Sequence, residues 1–461
     1  MSLFATLGTA GRALGVMRVA HATASHNVEN ASTPGYSRQR VELHAAQPAS
    51  FLGGSFLGTG VHLGSVTAVR DRFLDEQVPA AMAASSFSAA ASQTFTALNT
   101  LDPDDQFGLP ASLGNFFAAV RQLSLAPADG GYRRSAVEAA GSMARALNRS
   151  SQEVVAARSA ADQELQAQAR DATRLAERVA SLNAEVRRAR GAGAEPNDLV
   201  DARRLAAEEL SALTGARLSE QDGDLTVQLG ATALVVGDRA ASFATSADPS
   251  IGGHLALTVQ SSGGGTTTLG DGQVGGRIGG LLHGRDSGLG AVEARLDELA
   301  FDFATSVNAA HQAGIALDGS SGRDLFVVGV QAGAAGRIAV TQEIADDPTL
   351  LGTSATGAPG DNGGVMALLA TESSALASGD TPAGALSTLI GDFGAAARSA
   401  LHEADAAAAT LSHVSGLRDA ASGVSIDEEL VELTKVQRNF EAVSKVLQTT
   451  DQMLNELLSL R

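Results

Sequence analysis

Apolar residues recur in sevens at the C-terminal end of the chain. One row holds Ile426, Leu433, Phe440, Leu447 and Leu454, and a second, three residues on, holds Val436, Val443, Thr450 and Leu457. Alternating steps of three and four keep such positions on one stripe of a helix, so the pattern predicts a coiled-coil seam. Asp427, Glu428 and Glu429 follow Ser425, where a hydroxyl caps and carboxylates suit the positive helix end, so the helix is predicted to start there. A lone helix cannot bury this stripe. The other end of the chain carries a narrower counterpart in Leu3, Leu7, Ala10, Leu14, Met17, His21, Ala24 and Val28. The two seams are predicted to pack on each other, within the chain or between copies, with everything between them looped out as an insertion.

Along the insertion the period changes several times. Gly53 to Val69 alternates as in an extended arm or hairpin, and Val69 to Leu101 is helical, with Pro79 starting or kinking it. Asp102 to Asp105 is a loop. Leu113 to Leu125 is a short helix closed by Pro127, Gly130 and Gly131, and Ser135 to Arg190, free of turn signals, is one very long helix. Gly191 to Pro196 ends it, and Asp198 to Leu213 pairs back on it. The residues from Asp224 to Leu229, Ala233 to Val236 and His254 to Gln260 read as strands of a compact β insertion. Helix returns over Leu289 to His311, a loop with short strands covers Asp318 to Val340, and helices cover Asp361 to Ala370 and Ala383 to Ala420.

Composition narrows the function classes. A net charge of -18 makes nucleic acid and anionic membrane surfaces poor partners, because phosphates need clustered cations. Lys435 and Lys445 are the only lysines, and no apolar run is long enough to insert in a membrane as a spanning helix. With no cysteine there is no disulfide or thiolate chemistry. Arg12 and Arg18 interrupt the N-terminal apolar stretch, so no signal peptide is expected and any exit from the cytoplasm takes another route.

Between the first helix and the arm stand Asn27, Asn30, Thr33, Pro34, Gly35, Tyr36, Ser37, Arg38 and Gln39. Thr33, Pro34 and Gly35 must stop the helix, since proline drives its predecessor out of helical angles and glycine turns readily. Asparagines followed by Thr-Pro-Gly resemble the N-terminal signature of the bacterial flagellar axial proteins, the rod, hook and hook-associated proteins. Tyr36, Ser37, Arg38 and Gln39 look more like the hook-associated protein 1 branch than rod or hook. The stretch from Val424 to Leu430, Gln437, and the run from Ser444 to Leu454 are similar to that family's closing helix. Shorter pieces at Pro196 to Leu199, Arg203 to Leu205, Ser219 to Gly223, Gly279 to Leu282 and Arg285 to Asp286 resemble its middle. Phe440 and Glu29 depart from the pattern, which has tyrosine and a small residue there.

Candidate chemistry is sparse. Gly270, Gly272 and Gly275 match the dinucleotide fingerprint in spacing, but no good helix former follows in Gly276 to Gly280, so a glycine-rich turn is expected instead. Asp318, Ser320, Gly322 and Asp324 outline a calcium loop in which Gly329 replaces the bidentate glutamate. His21 and His26 are five apart, on different helix faces, and His21 reads as an interface residue. No zincin, nucleophile-elbow or Walker pattern occurs. Catalytic, cofactor-binding and metal-ligating residues are expected to be none.

The chain is therefore expected to be mainly α with an inserted β domain. Residues 1–40 with 421–461 form a coiled-coil-like terminal domain, 41–215 with 285–420 form a second domain of long antiparallel helices, and 216–284 form the β-rich outer domain. The resemblance implies an extracellular structural subunit of the flagellum that joins hook to filament through its terminal helices, without enzyme activity. It implies as partners hook protein, hook-associated protein 3, copies of itself, and a cytoplasmic export chaperone on the C-terminal helix, with type III export and no cleaved signal. A hook or rod subunit would share both terminal motifs; an enzyme domain carried on the scaffold would need a constellation in 216–284; a non-flagellar coiled-coil adhesin would leave Asn27 to Gln39 unexplained.

Overall fold

The computed structural model describes residues 3–47, 49–50, 56–96, 98, 108–221 and 223–459. Helix α1 (Leu3–Glu29) ends before a β-turn in which the Tyr36 amide donates to the Thr33 carbonyl at 3.2 Å. Pro34 and Gly35 fill its two centre positions, and Gly35 takes a φ of 77°, which only glycine reaches without strain. β1 (Gln39–Ala45) then runs antiparallel to β4 (Val61–Ala68), with β2 (Ala49–Ser50) and β3 (Phe56–Leu57) as a small outer pair. The expected arm is thus the second half of a ribbon whose first strand starts inside the motif. Its Gly53 end lies outside the described residues.

α2 (Arg72–Phe95) is capped by Asp71, whose carboxylate accepts from the Phe73 and Leu74 amides at 2.9 and 3.3 Å. Pro79 lies inside it. Leu101 and the expected loop Asp102 to Asp105 lie outside the described residues. α3 (Leu109–Leu125) leads to α4 (Gly130–Gly191), whose 62 residues span roughly 90 Å. Gly130 and Gly131, read above as closing the previous helix, instead form the first turn of α4, because the Asp129 carboxylate accepts from the Gly131 and Tyr132 amides. α5 (Asn197–Thr214) returns along α4 and ends at Gly215 in the left-handed conformation.

Two antiparallel sheets follow. β5 (Arg217–Gln221), β6 (Asp224–Leu229), β7 (Thr232–Val236) and β8 (Arg239–Ala240) pair in sequence order; β9 (Ser242–Ala247) and β11 (Thr266–Leu269) flank β10 (Leu255–Gln260). The sheets sit on α4: Asn183 bridges Leu225 and Gly237, and Thr173 hydrogen-bonds with both backbone groups of Phe243. The expected glycine-rich turn is present, with the Gln273 amide donating to the Gly270 carbonyl at 3.2 Å, but the expected lack of a helix after it fails. A helix, α6 (Gly276–His283), does follow the glycine run, directly after strand β11. Its glycines serve close packing: a Cβ on Gly276 would fall 2.4 Å from the Ala212 carbonyl oxygen, and the Gly275 amide donates to Thr214 at the end of α5.

A π-helical turn (Gly284–Leu289) carries α6 into α7 (Gly290–Gln312). β12 (Phe326–Val327), α8 (Ala334–Arg337), β13 (Ala339–Val340), α9 (Gln342–Asp346) and α10 (Gly363–Ala370) lead to α11 (Pro382–Ser422) and α12 (Ile426–Ser459). The fold is mainly α with inserted β, as the pattern predicts. One core packs α3, α4 and α7 around Phe116, Phe117, Phe303 and Phe326; a second lies between the far half of α4, α5 and the sheets. α2 packs on α11, where Leu74, Val78 and Val414 are buried, and α1 packs on α12.

Candidate assembly interface

Asn27, in the last turn of α1, is 1% exposed and uses both ends of its amide. Nδ2 donates to the Gln39 carbonyl (2.9 Å) and to Glu429 Oε2 (3.1 Å), while Oδ1 accepts from the Tyr36 hydroxyl (2.8 Å) and the Gln39 amide (2.9 Å). One side chain therefore fixes the helix end, the start of the ribbon and the first turn of α12. Asn30 stays local: it donates to the His26 carbonyl and accepts from Thr33. Pro34 is exposed, and Gly35 lies against Leu205 of α5, where an added Cβ would meet Leu205 Cβ at 3.3 Å.

Arg38 turns the motif toward the joint between α11 and α12. Its Nε donates to Glu429 Oε1 (2.6 Å), its Nη1 to Glu428 (2.7 Å), and its amide to the Ser422 carbonyl that ends α11 (3.0 Å). Burial alone would lower the pKa of this guanidinium, but Glu429 and Glu428 outweigh that and hold it above its ordinary value. Ser37 faces α5 instead: its amide and hydroxyl both donate to the Asp201 carboxylate, at 2.8 and 2.9 Å. Arg70 also donates to Asp201, Gln39 donates to Asp198, and His26 lies 3.3 Å from Asp198 and edge-on to Tyr36. Burial, then the charges of Asp198, Asp201 and Glu429, raise the Tyr36 phenol far above its ordinary pKa, so it stays a donor.

A second chain of ion pairs crosses from α2 to α11. Arg204 of α5 pairs with Asp75 and Glu208, and Glu208, 2% exposed, accepts from Arg418 through both oxygens at 2.9 and 3.0 Å.

The sequence reading placed Asp427, Glu428 and Glu429 as helix-start charges. They do occupy the first turn of α12, but Glu429 is also the buried acceptor at the centre of the cluster. Asp198, Asp201, Arg204 and Glu208 were not singled out as partners of the motif. A carboxylate followed a few residues later by arginine is ordinary helix composition, and nothing local marks it as half of a contact with residue 37.

Of the seam residues, Val436 and Thr450 are buried, and Leu433, Val443, Leu447 and Leu454 are half-buried. On α1, Ala10 and Ala24 are buried and Leu3, Leu14, Met17 and Val28 half-buried. Leu7, His21, Ile426, Phe440 and Leu457 are exposed in the single chain, while Val16, outside the row, is buried. The calcium-like loop is occupied by its own chain: Asp318 accepts from the Ser320 amide, Arg323 pairs with Asp318, and Asp324 accepts from Gln312. Among the described residues no three His, Asp or Glu side chains are grouped to hold a metal.

A family model described as the flagellar hook-associated protein FlgK helical domain matches residues 86–326, and one described as the flagellar basal body rod FlgEFG protein C-terminal matches residues 419–460. The chain is 27% identical to flagellar hook-associated protein 1 of Bacillus subtilis, over 99% of this chain and 98% of the relative. It is 30% identical to flagellar hook-associated protein 1 of Salmonella typhimurium, over 67% of this chain and 56% of the relative. Among solved structures it is similar to the flagellar hook junction protein FlgK from Burkholderia pseudomallei, with a TM-score of 0.50 and 27% identity, over 56% of this chain and 47% of that one. The match thus spans about half the length of the Salmonella relative and of the solved structure.

Proposed function

We propose, since the chain belongs to the flagellar hook-associated protein FlgK family, that it is the structural subunit joining hook to filament, assembling helically through its terminal helices. One observation carries the mechanism: α1 covers only one face of α12. Leu430, Val431, Val446, Met453, Leu457 and Leu458 remain at least 48% exposed, apolar side chains that a contact between subunits would cover. Identical subunits bury these residues against one another, and the polar cluster at Asn27 and Glu429 sets the angle at which each pair of terminal helices leaves the body of the subunit.

On this reading, residues 1–40 with 421–461 are the axial layer, the long helices of 41–215 with 285–420 the next, and 216–284 the outer surface. Hook protein contacts one side of the ring and hook-associated protein 3 the other. Before export through the type III channel, a cytoplasmic chaperone covers the same exposed face of α12.

A deletion strain examined by electron microscopy tests the junction role. Hooks without filaments, with flagellin shed into the medium and rescue by the intact gene, are expected; normal filaments would sink it.

A further inference from the structure

We propose a metal site on the β1–β4 ribbon, in which His44 and His62 chelate one divalent transition-metal ion such as Zn²⁺ or Cu²⁺. The two residues are direct partners across the antiparallel ladder, so their side chains leave the same face of the ribbon with Cβ atoms about 5 Å apart. Their rings already face each other, with centroids 5.8 Å apart and planes tilted by 42°. Two imidazoles sharing a tetrahedral ion, each bonded at about 2.0 Å, have centroids roughly 5 Å apart. The separation is within about 1 Å of that value, and both residues are exposed and free to turn a ring nitrogen toward a shared ion.

Gly64 points the same way. A Cβ there would lie 2.5 Å from His44 Cδ2 and 2.6 Å from Nε2, so glycine at this position leaves the His44 ring room to lie across the neighbouring strand that carries His62. Among the described residues neither imidazole has a hydrogen-bond partner, so its nitrogens are not committed elsewhere. With no third His, Asp or Glu grouped with them, the remaining coordination positions go to water, and nitrogen donors of this kind favour Cu²⁺ over Zn²⁺. The ion cross-links the two strands. Because this end of the ribbon rests on α1, where Arg12 donates to the Thr59 carbonyl at 2.7 Å and Gly60 abuts Thr9, the cross-link stiffens the ribbon against the axial helix.

The full chain, stripped with EDTA, is titrated with Zn²⁺ by calorimetry alongside His44→Gln and His62→Gln. Wild type should take up one equivalent, and each variant should bind at least tenfold more weakly while its metal-free melting temperature is unchanged. Cu²⁺ electron paramagnetic resonance of the wild type supplies a readout that needs no variant: hyperfine structure from two imidazole nitrogens is expected. Equal Zn²⁺ affinity in all three proteins, or coupling to a single nitrogen, would overturn the site.

Discussion

Asn27 Nδ2 donates to Glu429 Oε2 at 3.1 Å across a sequence separation of 402 residues, and Arg38 completes the acceptor's hydrogen bonding from the other side. Glu429 is 3% exposed, so removing its carboxylate leaves two donors without an acceptor in a dry place. Arg38 is 31% exposed and regains part of its loss from water. Glu429→Ala should therefore cost about 2 kcal/mol, with faster amide exchange in the first turns of α12. Glu428→Ala, whose side chain is 63% exposed, should cost no more than about 0.5 kcal/mol. Equal effects in both variants would remove Glu429 from its central place.

Two seam residues separate folding from assembly. Leu447 is half-buried on α12, which packs on α1, so Leu447→Ala should lower the stability of the isolated subunit by about 1–2 kcal/mol. Phe440 is 40% exposed, and Phe440→Ala should leave subunit stability within about 0.5 kcal/mol while impairing filament attachment. Replacing Leu433, Phe440, Leu447 and Leu454 together by alanine should abolish attachment and chaperone binding. A motile strain carrying all four changes would refute the seam.

His311 is a buried histidine held neutral. Its Nδ1 donates to the Arg323 carbonyl at 2.7 Å and its Nε2 accepts from the Gly352 amide at 2.9 Å. Burial, opposed in part by the Arg323 carbonyl, lowers its pKa below the ordinary 6.5. The unfolded chain thus binds a proton that the folded one refuses. The stabilisation is complete above about pH 6.5 and is lost as pH falls below it, until the folded group itself titrates. Ring resonances should titrate at lower pH than a free histidine, and the Gly352 amide should lose protection, measured against its intrinsic exchange rate at each pH, on acidification. A ring titrating at or above pH 6.5 would contradict this.

Gly276 has a φ of 60° and no room for a side chain beside Ala212 and Leu213. Gly276→Ala should destabilise the contact between α5 and α6 by about 1–3 kcal/mol, seen as a lower melting temperature and earlier proteolysis around residues 270–276. Unchanged melting would show that the contact relaxes without cost.

The elements that were legible are those whose signal is local. α4 shows from Ser142 to Arg190 as a long run without Gly or Pro, and α12 as a heptad row behind a capping serine. The helix after Gly275 was illegible because its glycines contradict helix propensity, and tertiary packing against α5 overrides it. Strands β9 and β11, rich in Ser, Thr and Ala, carry too little apolar alternation to stand out. At the interface, the motif from Asn27 to Gln39 was visible as a unit, whereas Asp201 and Glu429 acquire meaning only through partners 164 and 402 residues away.

That separation sets an order of events. The contact between residue 27 and residue 429 closes a loop of nearly the whole chain, so the body of the subunit has every opportunity to form before the two ends meet. The joint at Glu429 should therefore be among the last contacts of the fold to close, which ties the angle of the terminal helices to a body that has already formed.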